Sequence, residues 1–405
     1  MRKMIWLLLF FVCVTIACNA APTETAEQVA TAVPTNTLQP TEPPPTETPT
    51  NTPAPTNTAV PLPTDTPEPT ATATPAPTAT AVPVIDRFSL DDRFTIYGEE
   101  PAVPRGNKQF TDPGAVVFHE GQFHMFHNTF TGWPASVDIA YSTSSDGISW
   151  TRVQEEPVLK SNAVPFAGVA ALASSALVQE DGTWYLYFYT WDDRTWPKSE
   201  GSIGVATATN PLGPWTVVEE PILEAGDDGS WDETAVRSPS VIQTEDGFVM
   251  FYAGYGGSSS AIGRATSEDG LSWAKFDDPA TEAEPFQSSD PIFSGSGSGW
   301  DRSHVFQPHV QQTPDGWVML YATATNVSNT PIHNRHGIAV SQDGQEWMRS
   351  DAPIFLPTQV NPRGNDIWYA EIAYAQGTYF VYVELGRGNN TEVFVATLAE
   401  PLLSE

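Results

Sequence analysis

Acidic side chains dominate the reactive groups of this 405-residue chain. Asp and Glu number 49 against 18 Lys and Arg, a formal charge of −31. Other chemistries find little to work with. There is no phosphate-cradling Gly loop and no Gly-x-Ser-x-Gly elbow. The histidines lack metal-ligand spacing, and the only cysteines, Cys13 and Cys18, sit near the N-terminus. Carboxylate chemistry remains, in which surroundings set the pH at which a carboxyl gives up its proton. Asp112, in Thr111-Asp112-Pro113, is the candidate, because the elements around it place it at a costly position.

Those elements repeat. A short apolar strand, a tight Gly turn and an aromatic return strand recur five times. The first unit runs Asp112 to Phe118, turns at Glu120-Gly121 and returns as Phe123-His124-Met125-Phe126. The others turn at Asp181-Gly182, Asp246-Gly247, Asp315-Gly316 and Gln376-Gly377, and return on Trp184–Tyr189, Phe248–Tyr252, Trp317–Tyr321 and Tyr379–Val383. Third strands such as Ile139–Ser142 lead into Asp146-Gly147-Ile148-Ser149-Trp150 and its counterparts at Asp269 and Asp343. Asp-Gly between alternating apolar runs is a strong hairpin signal. Units of about 60 to 70 residues suit four strands with long loops. The expected fold is therefore all-β: a five-bladed β-propeller of four-stranded antiparallel blades. The fifth unit lacks a fourth strand. Glu99-Glu100-Pro101-Ala102-Val103 repeats the signature that follows a fourth strand elsewhere, so Phe94 to Tyr97 is expected to complete the last blade.

Strand direction assigns the faces. Asp-Gly turns lie on one face. The long, varied loops lie on the other: His127 to Trp133, Trp191 to Trp196, and His333 to His336. Aromatic and charged residues on loops over a rigid scaffold mark a binding face, here with His127 and Trp133 among its candidates. The residues entering the inner strands beside the central axis are Asp112, Ala173, Ser238, Gln307 and Trp368. A charged group in a narrow axial funnel is expensive unless it is used or paired.

The N-terminus carries export signals. Met1-Arg2-Lys3-Met4 is basic and Ile5 to Ile16 is apolar but short, which is a secretory pattern. Thr15-Ile16-Ala17-Cys18 resembles a bacterial lipobox, which implies residues 1–17 as signal and a lipid on Cys18. Cleavage near Asn19-Ala20-Ala21 would instead release the protein. Residues 18–83, rich in Pro and Thr, have the composition of a disordered, semi-rigid stalk. The domain at 84–405 is left without cysteine, and its length of about 300 residues suffices for a core without disulfides. The acidity argues against nucleic acid and anionic lipid as partners. The expectation is a monomer on the outer face of the cell membrane, held there by its lipid alone.

The repeats, opened by Thr111-Asp112-Pro113, and the phrases Gly229-Ser230-Trp231-Asp232 and Val236-Arg237-Ser238-Pro239 resemble the propeller glycoside hydrolases of families 43, 32, 68 and 130. The resemblance implies an O-glycosyl hydrolase acting on poly- or oligosaccharide, with carboxylates around the axis. It assigns Asp112 as base or nucleophile. The group's third-blade Asp falls on Ser238 and its acid falls beside Pro308, at Gln307, so neither carboxylate is present. Glu371, at the start of the fifth inner strand, is the substitute acid, with Asp232, Glu233 and Asp301 as alternatives. Arg237, Ser238, Gln307, His309 and Trp368 are expected to hold sugar. No cofactor is required. In some relatives a channel histidine faces calcium or water, an alternative for His309 beside an ordinary buried histidine. A carbohydrate-binding propeller that has lost catalysis is the competing reading.

Overall fold

The computed structural model describes residues 88–89, 93–97, 100–132, 136–193, 199–257, 259–324, 334–354, 356–357, 367–387 and 390–402. The signal, Cys18, the stalk and Trp133 lie outside them.

The described residues contain no α-helix. After β1 (Phe88–Ser89) and β2 (Thr95–Tyr97), the strands β3 (Phe110–His119), β4 (Gln122–Phe130), β5 (Asp138–Ser144) and β6 (Thr151–Arg152) form an antiparallel meander. The pattern repeats in β7 (Ala170–Val178), β8 (Trp184–Trp191), β9 (Ile203–Ala208) and β10 (Thr216–Val217). It repeats again in β11 (Ala235–Thr244), β12 (Gly247–Gly256), β13 (Ser259–Ser267) and β14 (Ala274–Lys275), with β15 (Pro291–Phe293) also on β13. Next come β16 (His304–Thr313), β17 (Gly316–Ala324), β18 (Asn334–Ser341) and β19 (Met348–Arg349), then β20 (Leu356–Pro357), which pairs with β1. Finally β21 (Ala370–Ala375), β22 (Thr378–Arg387) and β23 (Asn390–Leu398) follow.

The last three strands take their fourth from the N-terminal side. Thr95–Tyr97 pairs antiparallel with Val395–Thr397, as the sequence signature suggested. Val103 bridges Val393 beside it. Leu159 and Leu223, at the ends of the other Glu-Glu-Pro signatures, bridge Ile139 and Ile203 in the same way. The outermost strand is thus short and interrupted. Its second half is the signature's terminal apolar residue returning to the third strand.

The first strands neighbour one another in cyclic order: β3 packs on β7, β7 on β11, β11 on β16, β16 on β21, and β21 on β3. Apolar clusters fill the spaces between successive sheets. Phe251 and Ile262 meet Met319 and Tyr321. Phe123 and Met125 meet Phe380 and Tyr382, which joins the last sheet to the first. Each such side chain contributes about 1.5–3 kcal/mol on full burial. The Asp-Gly turns also face neighbouring sheets. The Tyr382 hydroxyl donates to Gly147 O at 2.8 Å, and the Tyr187 hydroxyl to Gly270 O at 3.1 Å.

Candidate active site

The first strands do not begin at the residues expected beside the axis. Four of them begin two or three residues earlier and carry a bulge there, whereas β21 begins at Ala370, two residues after Trp368, and keeps an even register. Register shifts fall between Asp112 and Ala115, Ala173 and Ser175, Arg237 and Ser240, and Phe306 and His309. A bulge bends the strand and re-aims its side chains. Ser238 (φ 52°) and Gln307 (φ 50°) adopt left-handed backbone, unusual for residues with a Cβ and a place where strain is held. Gly114 shows why the bulge after Asp112 needs glycine: a Cβ there would lie 2.2 Å from Phe126 O.

Polar side chains lock neighbouring bulges together. Asn128 Oδ1 accepts from Ala173 N at 2.8 Å, Ser175 Oγ from Val241 N at 3.0 Å, and Ser240 Oγ from Val310 N at 2.8 Å. The groups aimed inward are therefore held by a stitched frame.

Asp112 lies at the first bulge, 2% exposed. Thr391 Oγ1, on β23, sits 3.4 Å from Asp112 Oδ1. Burial raises the Asp112 carboxyl to about 7 despite that hydroxyl. A second carboxyl faces it. Glu384, on β22, is 5% exposed, bonds Thr391 through its side chain, and is pushed well up by burial and then by the Asp112 charge. Tyr369 feels both carboxylates and hydrogen-bonds Tyr189, which also bonds Ser238.

Arg237 lies within a cage of aromatics. Its guanidinium stands 4.5 Å from the Trp191 ring centroid and 5.1 Å from that of Tyr255, and it donates to Ser199 O. Burial lowers its pKa. Arg237, Ser238, Tyr189, Tyr369, Asp112, Glu384 and Thr391 thus form one connected group.

Glu371 belongs to a different pairing. Its Oε2 lies 2.5 Å from His309 Nδ1, and both residues are buried. Burial raises the Glu371 carboxyl, partly offset by His309. His336, also buried, is lowered to about 3 by burial and then by His309. Gln307 is 9% exposed and its Oε1 has no partner among the described residues. Trp368 precedes β21 and is 39% exposed.

The three alternatives for the acid lie on connections and each has partners. Asp232 Oδ2 pairs with Lys275 Nζ at 2.7 Å, and Asp301 Oδ2 with Arg349 Nη1 at 2.6 Å. The tryptophans before them stack on strand tyrosines, Trp231 on Tyr252 and Trp300 on Tyr321. These are two copies of one clasp between a connection and its sheet. Glu233 caps a loop by accepting from Gly229 N and Gly257 N. His127 is fully buried with Nε2 3.0 Å from Ser142 Oγ, and burial lowers it to about 3. It joins β4 to β5, one residue from Asn128, the register partner of Asp112.

Sequence reasoning missed Glu384, Thr391, Tyr189 and Tyr369. Glu384 falls late in an aromatic return strand, Tyr379-Phe380-Val381-Tyr382-Val383-Glu384. A buried charge at the end of an otherwise apolar run was the available signal.

The fold is a β-propeller-like scaffold of the kind found in glycoside hydrolases. A glycosyl hydrolase from Bacteroides ovatus superposes with a TM-score of 0.55 at 18% identity, covering 76% of this chain and 93% of its own. A second structure, described for family 130 glycoside hydrolases that target beta-1,2 mannosidic linkages in Candida mannan, gives 0.56 at 19% identity, with 80% and 99% covered. More particularly, residues 106–286 match the glycosyl hydrolases family 32 N-terminal domain. A levanase of Bacillus sp. (strain L7) is 25% identical over 230 residues, 53% of this chain and 22% of the levanase. An arabinoxylan arabinofuranohydrolase of Bacillus subtilis (strain 168) is 30% identical over 124 residues, 28% of this chain and 23% of its own length. The chain therefore spans less than a quarter of these two relatives. The resemblance to the propeller glycoside hydrolases is borne out in sequence and in fold.

Proposed function

We propose that this chain is an extracellular O-glycoside hydrolase on a five-bladed β-propeller, with its reaction centre at Asp112. The observation that carries this reading is a buried carboxyl at a strand bulge, against the Thr391 hydroxyl, in a group that includes Tyr369, Tyr189 and a caged arginine. Cleavage of a glycosidic bond needs one carboxylate to attack the anomeric carbon or take a proton from water. It needs one carboxylic acid to protonate the departing oxygen. Asp112 takes the first part. Glu371 takes the second: burial favours its protonated form, and His309 holds it in place. Arg237, Ser238 and Gln307 meet sugar hydroxyls, and exposed Trp368 offers a stacking face.

His309 faces Glu371 at 2.5 Å, and the described residues gather no group of three metal-ligating side chains. No step is routed through calcium. The lipid anchor at Cys18, the stalk over 18–83 and the monomeric domain over 84–405 belong to the same proposal, supported by the sequence pattern.

Turnover of a polysaccharide panel headed by levan and arabinoxylan tests the reading, with the wild-type chain beside Asp112→Asn. Hydrolysis reduced roughly 10²–10⁴-fold or more by the substitution is the expected result. Saturable glycan binding without turnover in the wild type would make the protein a carbohydrate-binding propeller instead.

A further inference from the structure

We propose that Glu384 is the third carboxylate of the site, a positioning residue that shares a single proton with Asp112. The inference rests on the hydrolase reading for its chemical consequence, whereas the pairing of the two carboxyls is argued from strand register and burial, whatever the reaction. Two carboxylates disappear from this chain relative to its resemblance, at Ser238 and Gln307. Glu384 restores one of them from a different strand.

The topology brings it there. Glu384 pairs with Val393 across β22 and β23, and Thr391 lies two residues from Val393, on the same face of the sheet. The Thr391 hydroxyl then reaches Asp112 Oδ1 at 3.4 Å. One hydroxyl thus stands against both carboxyls. The Glu384 backbone N–H donates to Tyr369 O at 3.0 Å, which fixes its strand against the segment leading into β21. Glu384 Oε2 is buried with no hydrogen-bond partner among the described residues, so this carboxyl has an unsatisfied oxygen that a proton would relieve.

Two buried carboxylates in this relation cannot both be charged cheaply, because each raises the cost of ionising the other. Burial and the neighbouring charge both favour the protonated form of Glu384. The surrounding groups are Tyr369, Tyr189, the Thr391 hydroxyl and, beyond Tyr189, the Arg237 guanidinium. A proton resides on one carboxyl or the other. Its O–H bond breaks on one as it forms on the other, and the pair keeps one negative charge. Asp112 therefore meets substrate as a carboxylate while Glu384 holds the proton, without an unpaired second charge in the funnel.

Infrared titration of the carboxyl C=O stretch in the full chain tests this whether or not turnover is found. Wild type is compared with Glu384→Gln and Asp112→Asn, with Glu371→Gln to assign the remaining buried carboxyl. The expected result is a protonated-carboxyl band that persists through neutral pH in wild type and loses one carboxyl's intensity in Glu384→Gln. In Asp112→Asn the Glu384 band should survive but ionise at lower pH, because the opposing charge is gone. An unchanged band in Glu384→Gln, or no displacement in Asp112→Asn, overturns the proposal. Wild type that hydrolyses no glycan while both band changes appear would defeat the hydrolase reading and leave the shared proton standing.

Discussion

The burial of Asp112 carries a stability cost. In the unfolded chain an Asp ionises near 3.8, whereas here burial pushes the carboxyl up to about 7. Between those values the folded state binds the extra proton, so stability is greatest below the lower value and falls as pH rises through the upper one. The shift amounts to about 4 kcal/mol at most, since each unit is worth about 1.36 kcal/mol. Asp112→Asn is therefore expected to be more thermostable than wild type at pH 8 and to lose that advantage at pH 4. Thermal unfolding followed by circular dichroism at both values checks this. A wild type no less stable at pH 8 than Asp112→Asn would contradict the buried, proton-holding carboxyl. The same ionisation should appear as the acid limb of kcat/KM, with activity rising through about pH 7 as Asp112 becomes the carboxylate. His127 and His336 act in the opposite direction. Each is lowered to about 3 and stays neutral in the fold, so their stabilisation is full above their unfolded value of 6.5 and is lost as pH falls towards 3.

At the scale of the elements, the carboxylates separate by what their strands make of them. Asp232 and Asp301 stand in the same phrase, Trp-Asp, after a Gly-Ser-rich stretch, and both end in a clasp. The clasp uses three levels at once. A tryptophan covers a strand tyrosine, a glycine on the sheet makes room for the ring, and the Asp anchors a basic residue on the short outer strand. A Cβ on Gly254 would meet Trp231 at 2.3 Å, and one on Gly337 would meet Trp300 at 2.2 Å. Breaking such a pair leaves a charge without its partner. Asp232→Ala should cost about 3 kcal/mol, the low end for a buried pair because Lys275 keeps some access to solvent. The lower melting temperature should come with an unchanged KM. A raised KM with unchanged stability would return Asp232 to the site. The bulges form the other element-scale device. They interrupt the register of an otherwise apolar strand at Asp112, Ser238 and Gln307, with Asn128, Ser175 and Ser240 taking up neighbouring backbone N–H groups.

The whole molecule depends on a strand borrowed from the beginning of the domain. Thr95–Tyr97 covers β23, and Val103 bridges the same strand two residues away. Without them β23 presents an unpaired edge, which is a template for aggregation. Removing residues 84–103 is expected to leave insoluble protein. A soluble truncation with one sharp unfolding transition would show that the closure is dispensable.

The all-β class, the repeated hairpins and the borrowed strand were legible in the sequence because their signals are local. Alternating apolar residues, Asp-Gly turns and the Glu-Glu-Pro signature each act over a few residues, where backbone geometry and turn chemistry decide the outcome. Asp112 was legible for a related reason: a charge beside Pro at the same point of a repeat reads as an exception. The uses of the other carboxylates were not legible. Asp232, Asp301 and Glu371 look alike as letters, and their partners Lys275, Arg349 and His309 come from other strands or other sheets. Glu384 looked like the end of an aromatic strand. Only the pairing of β22 with β23, and the packing of the last sheet on the first, set it beside Thr391 and Asp112. A carboxyl's proton affinity is fixed by burial and by charges that converge through space. Sequence spacing determines the strands, and the closed arrangement of the sheets decides which of their charged groups meet.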